Sequence, residues 1–124
     1  MKNALVVENC AENRWLLCTL LKRLGMEVST ATIGWEGLEK AKSFHYDVIF
    51  VESSLGDMLG IELIEQLKRE DGIHKVPIVF LASVLPADLV ARALDAGASI
   101  TFSKPVTEEK IQAIHSQLLA QLAA

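Results

Sequence analysis

Five times along the chain a short apolar run is followed by a longer segment whose apolar residues recur at helical spacing, and this alternation restricts the fold more than any other feature. Such repetition is the signature of βα units that feed a parallel sheet with helices on both faces. The strand candidates are Ala4–Glu8, Glu27–Ala31, Val48–Glu52, Pro77–Ala82 and Ser99–Ser103. Four are dominated by apolar residues, as strands covered on both faces require, whereas Val28-Ser29-Thr30 is more polar and suits an edge.

Between the strands, Leu17, Leu20, Leu21 and Leu24 stripe a first helix from Ala11 to Leu24, which Gly25 ends. Leu38 and Ala41 mark a second helix, and Ile61, Ile64 and Leu67 a third. Leu89, Ala93 and Ala96 mark a fourth that stops at Gly97. The last helix opens on Thr107 as N-cap, carries Glu108 and Glu109 in its first turn, and turns Ile111, Ile114, Leu118 and Leu122 to the sheet. With 124 residues and 51% hydrophobic content, residues 1–124 are expected to form a single domain around one such sheet.

Charge and composition narrow the partners. The formal net charge is -4 and the 12 Lys and Arg are scattered, so no basic stripe is available to a phosphate backbone and nucleic acid is not expected to bind directly. The chain runs from Met1 straight into Leu5, Val6, Val7 and Glu8, without a long apolar stretch or a small-residue cleavage site. A soluble, cytoplasmic domain with no membrane partner is therefore expected. Cys10 and Cys18 stand eight residues apart, in or beside one helix, a spacing that favours reduced thiols over a metal pair or a loop-closing bridge. His45, His74 and His115 share no motif and are expected as surface or loop residues.

In an open parallel sheet, ligands and chemistry gather beyond the carboxyl ends of the strands, where the strand order reverses. Glu8-Asn9, Glu52, Ala82-Ser83 and Lys104 occupy those ends. Packing alone does not explain two acids and a lysine there.

These landmarks have a familiar spacing. An acid follows strand one, Asn13-Arg14 opens the leucine-striped helix, and Tyr46-Asp47-Val48-Ile49-Phe50-Val51 leads to Glu52. Gly60 follows strand three, Pro77 opens strand four, and Ala96-Gly97-Ala98 precedes Lys104-Pro105. Over its whole length the chain resembles the receiver domains of two-component response regulators, the CheY-like family. The resemblance implies an α/β, flavodoxin-like (βα)5 fold with a doubly wound, parallel five-stranded sheet in the order 2-1-3-4-5.

In that family two adjacent acids after strand one and an aspartate after strand three hold Mg²⁺, and the aspartate attacks a phosphohistidine. A Ser or Thr after strand four and a Lys before a Pro bind the phosphoryl oxygens, and an aromatic residue on strand five reports the event. The chemistry accounts for each part, since a hard cation needs oxygen ligands and offsets the charge on the moving phosphoryl group.

This chain departs from that pattern at most positions. The acidic pair is Glu8 and Asn9, and the acceptor position holds Glu52, whose extra methylene carries the carboxylate roughly 1.5 Å further into the pocket. A reacting atom misplaced by about 1 Å can cost on the order of a hundredfold in rate. Ala82 replaces the hydroxyl and Thr101 the aromatic ring, and only Lys104 with Pro105 is kept. Ser83 follows Ala82 but faces the other way along a regular strand. The remnant metal set Glu8, Asn9 and Glu52 is expected to hold Mg²⁺ weakly or not at all, and no other cofactor is implied.

The leading expectation is a pseudo-receiver, a non-enzymatic module that works by protein contact without phosphorylation, with Lys104 paired to Glu52. That pairing either holds an activated-like shape or merely neutralises a buried acid, and the second is slightly favoured. The rival readings are a Mg²⁺-dependent phosphoacceptor that uses Glu52 or Asp57, and a small-molecule-binding flavodoxin-like domain. No hydroxyl- and glycine-rich phosphate loop follows strand one, which counts against the last. Asp57 is expected foremost as a solvated turn residue. The partners implied are a histidine kinase, a phosphotransfer domain or an output protein. Trp15, Cys18 and Lys22 on helix one and Leu89 on helix four are the candidate contact residues, with Trp35 a weaker one. Helix four, strand five and helix five are a surface on which such domains also form homodimers.

Overall fold

The computed structural model describes residues 2–123, with side chains described as far as Gln121. Strands and helices alternate throughout: β1 (Asn3–Val7), α1 (Ala11–Arg23), β2 (Glu27–Ala31), α2 (Gly34–Ser43), β3 (Val48–Glu52), α3 (Gly60–Arg69), β4 (Ile78–Ala82), α4 (Ala87–Ala96), β5 (Ile100–Ser103) and α5 (Glu108–Ala123). All four ladders are parallel and the order is β2-β1-β3-β4-β5. The expected architecture and strand order are both present, and the polar Val28-Ser29-Thr30 segment does lie on an edge strand. No helix among the described residues is long and apolar enough to cross a membrane.

Alternation along the strands divides the core into two layers. Leu5, Val7, Ile49, Val51, Ile78, Phe80 and Ala82 face one way, onto Leu38 of α2, Leu63, Ile64 and Leu67 of α3, and Ala93 of α4. Ala4, Val6, Val48, Phe50, Val79 and Leu81 face the other way, onto Leu17, Leu20 and Leu21 of α1 and Ile111, Ile114 and Leu118 of α5. The inner strands β3 and β4 are buried at every position, which is why their sequences read as unbroken apolar runs.

Several local expectations are met. Gly25 follows α1 with φ at 85°, a conformation that costs a glycine little and ends the helix cleanly. Thr107 Oγ1 accepts the Lys110 amide at 3.2 Å, so it caps α5 as its sequence suggested. The side chain of Leu122 lies outside the described residues.

Strand bounds shift slightly: β1 runs from Asn3 to Val7 and not from Ala4 to Glu8, its ladder to β2 running from the Asn3–Glu27 pair to Val7–Ala31, and β4 and β5 start one residue later than expected. In α3 Leu63 joins Ile64 and Leu67 in the buried stripe, and Ile61 packs half-buried against the same layer.

Candidate functional site

Three strand ends converge on one spot, and main-chain bonds past each strand fix their register. The Glu8 amide donates to the Ala31 carbonyl at 3.0 Å, Ser53 to Leu81 at 2.9 Å, and Lys104 to Ala82 at 2.9 Å. The ladders thus run one residue beyond the strands and hold the backbones of Glu8, Glu52 and Lys104 in a fixed relation. Gly60 allows α3 to start against β3, since a Cβ there would lie 2.1 Å from the Glu52 carbonyl oxygen.

Lys104 Nζ lies 2.6 Å from Glu8 Oε1 and is also ion-paired with Glu52 Oε2. Glu8 and Glu52 are the buried charged residues of the domain, at 0% and 6% exposure. The two carboxylate oxygens that face the ammonium have no other partner among the described residues. The remaining oxygens are held locally: Glu8 Oε2 accepts the Cys10 amide at 3.2 Å, and Glu52 Oε1 accepts the Ser53 hydroxyl at 3.0 Å. Arg14 Nη1 donates to the Glu8 carbonyl at 2.8 Å and ties α1 to the same loop.

The protonation tendencies follow from this geometry. Burial pushes the Glu8 carboxyl above the ordinary glutamate value, with the Glu52 charge adding to it and the Lys104 and Cys10 hydrogen bonds pulling back. Burial would lower Lys104, but the hydrogen bonds and charges of Glu52 and Glu8 outweigh it and hold the ammonium above the ordinary lysine value. Two carboxylates and one ammonium leave one negative charge when all are ionised.

These residues do not fit a magnesium site. Such an ion needs several oxygen ligands, usually carboxylates and water. Here both acids are bound to the ammonium, Asn9 is exposed, and no group of three or more His, Cys, Asp or Glu is placed to hold a metal among the described residues. A phosphoryl group would also lack a hydroxyl partner at Ala82, which is buried with its side chain in the α2–α4 layer. Ser83 lies beyond the strand and is exposed, and Thr101 is half-buried on β5.

Other sequence candidates are dispersed. Asp57 is an exposed residue of the β3–α3 turn, as expected, and in addition its Oδ1 accepts the Gly34 amide at 2.8 Å and its Oδ2 the Trp35 amide at 2.9 Å, closing the start of α2. Trp15 is 67% exposed and Lys22 is exposed, as expected of a contact face. Cys18 is a correction, for it packs against the α1–α5 core and burial raises its thiol pKa, partly offset by Lys22 and Arg14. Leu89 is half-buried on the apolar stripe of α4, against the opposite layer. Both cysteines are free thiols. Of the histidines, His45 lies 3.4 Å from Asp47, and His74 Nδ1 is 2.6 Å from the Asp71 carbonyl oxygen.

Lys110 was not singled out by sequence reasoning. Its Nζ donates to the Ser103 and Pro105 carbonyls at 2.7 and 3.2 Å, on either side of Lys104, and so clamps the loop that presents the ammonium. Its place one turn into α5 was the only signal.

Comparison with known proteins agrees with the fold. The description "Response regulator receiver domain" matches residues 4–116. The chain is 30% identical over 114 residues to the sensor protein EvgS of Escherichia coli K12, and 31% identical over 109 residues to hybrid signal transduction histidine kinase D of Dictyostelium discoideum. These alignments cover 92% and 88% of this chain, but the chain spans only 9% and 7% of those relatives. It is 25% identical to the polar-differentiation response regulator DivK of Brucella ovis, covering 94% of this chain and 96% of that one. Among solved structures, a two-component response regulator from Clostridium difficile superposes with a TM-score of 0.92 at 23% identity over the whole of both chains. The receiver domain of a Pseudomonas aeruginosa sensor histidine kinase, with a magnesium ion coordinated in its active-site cleft, superposes with a TM-score of 0.88 at 22% identity, covering 96% of this chain and 98% of that one. The chain belongs to the response regulator receiver domain family.

Proposed function

We propose that this receiver domain is a non-enzymatic, cytoplasmic signalling module that acts by protein contact and without phosphorylation. The observation that carries the reading is the closed ion triad, in which the side chain at the acceptor position, Glu52, is bound through one carboxylate oxygen to Lys104. An in-line attack needs a free, placed carboxylate oxygen with charge stabilisers around the incoming phosphoryl group. In this chain Lys104 is engaged by two acids, and Ala82 supplies no hydroxyl. A cation held by Glu8 and Glu52 would have to displace that ammonium from both carboxylates.

The alternative acceptor Asp57 is disfavoured by its two hydrogen bonds to the α2 amides. The partner is a protein of the same signalling class as the relatives, a histidine kinase, a phosphotransfer domain or an output protein. Incubation with acetyl phosphate and Mg²⁺ followed by intact-mass measurement tests the reading. The expected result is an unchanged mass, and gain of one phosphoryl group would overturn it.

A further inference from the structure

Helices α2 and α3 both begin on a large apolar residue, where a polar N-cap is normally preferred. Ile33 and Leu59 occupy these caps and are 40% and 50% exposed, so the apolar side chains are not there to fill the core. Trp35, two residues into α2, is 58% exposed. The two helix starts are locked together: Asp57 spans from the β3–α3 loop to the Gly34 and Trp35 amides, and Met58 packs so closely on Gly34 that a Cβ there would lie 2.5 Å from its side chain.

Asp57 alone caps first-turn amides, those of α2, while two glutamates reach back to amides at or before the caps. Glu36 Oε1 accepts the Thr32 amide at 2.8 Å, Glu62 Oε1 accepts the Leu59 amide at 3.3 Å, and Asp57 serves α2. Asp57 and Glu62 thus bring negative charge beside the exposed apolar residues, whereas the charge of Glu36 is met by Lys40. Lys40 is already held by Glu36 at 3.7 Å and by the Thr30 carbonyl.

We propose that this edge, with Ile33, Trp35 and Leu59 at its centre, docks an amphipathic segment of a protein partner that sets Lys or Arg beside an apolar anchor. The argument is charge complementarity together with apolar exposure held at the expense of local helix stability. The edge is distinct from the α1 face that carries Trp15. The proposal rests on the reading that the domain works by contact, but not on the absence of phosphorylation.

The test uses the 124-residue chain and a synthetic helical peptide with leucines on one face flanked by lysines. A second peptide carries glutamates in place of the lysines. In an NMR titration the lysine peptide is expected to move the Trp35, Met58 and Leu59 amide signals, and the glutamate peptide to leave them unmoved. Leu59→Ser supplies a proper cap, so it should raise the Tm while weakening peptide binding at least about tenfold. Trp35→Ala should weaken binding similarly with the fold intact. Absence of binding, equal binding of both peptides, shifts centred on Trp15, self-association in place of peptide binding, or full binding by both variants would each overturn the proposal. The acetyl phosphate experiment reports separately on the contact-without-phosphorylation reading.

Discussion

Glu8 Oε1 and Lys104 Nζ lie 2.6 Å apart, and the same ammonium holds Glu52. One lysine therefore compensates two carboxylates that are almost sealed from water. Lys104→Met would leave both acids buried and unpaired, and breaking a buried pair from one side typically costs about 3–5 kcal/mol. We expect a loss of that order in urea denaturation at neutral pH. Adding Glu8→Gln should recover part of it, because one stranded charge is removed; a purely additive double variant would show that the two residues do not share a charge network.

Glu8 also sets a pH dependence whose sign is opposite to that of an ordinary salt-bridged acid. Its pKa in the fold is raised above 4.5, first by burial and then by Glu52. Its contribution to stability is therefore complete below 4.5 and is lost as pH rises through the raised value. Glu8→Gln removes this loss. The Tm of the variant relative to the parent is expected to climb across that interval, and a difference that stays flat or falls would contradict the assignment.

The βα alternation and the helix positions are legible in the sequence because they depend on periodicity, whereas the strand order and the pairing of Lys104 with Glu52 were implied by the resemblance to receiver domains. The second acid on the same ammonium was not legible. Glu8 directly follows β1 and Lys104 directly follows β5, and their meeting depends on the side-chain directions beyond the strand ends. The Asp57 bonds to Gly34 and Trp35 join residues 23 and 22 positions apart, and no local pattern announces such a cap. Cys18, expected on an exposed face, was misplaced for a related reason: a helical wheel gives angle, but how far a neighbouring layer reaches around the helix decides burial.

That long-range cap can be removed by itself. Asp57→Ala frees two amides at the start of α2 and is expected to destabilise the domain by about 1 kcal/mol. Burial works against the Asp57 carboxylate, but the Trp35 and Gly34 amides outweigh it and hold its pKa below the ordinary 3.8. The stabilisation is thus present above 3.8 and is lost as pH falls through the lowered value. Denaturation midpoints of parent and variant should converge in strong acid and separate above this range. If they were equal at neutral pH, Asp57 would have no capping role.

Putting the receiver-type residues back tests the proposal that this domain works without phosphorylation. Glu52→Asp withdraws the carboxylate by roughly 1.5 Å, Asn9→Asp supplies a third acid for a cation, and Ala82→Thr supplies a hydroxyl. Ala82 is only 2% exposed, so the added atoms strain the layer around Phe80 and should cost about 1–3 kcal/mol. A folded triple variant should gain one phosphoryl group from acetyl phosphate and Mg²⁺, detected by intact mass, while the parent gains none. Glu52→Asp alone should gain far less, because the ion triad, the hydroxyl and the metal set fail together. Full phosphorylation of that single variant would place the whole defect in one methylene group, and would remove Asn9 and Ala82 from the explanation.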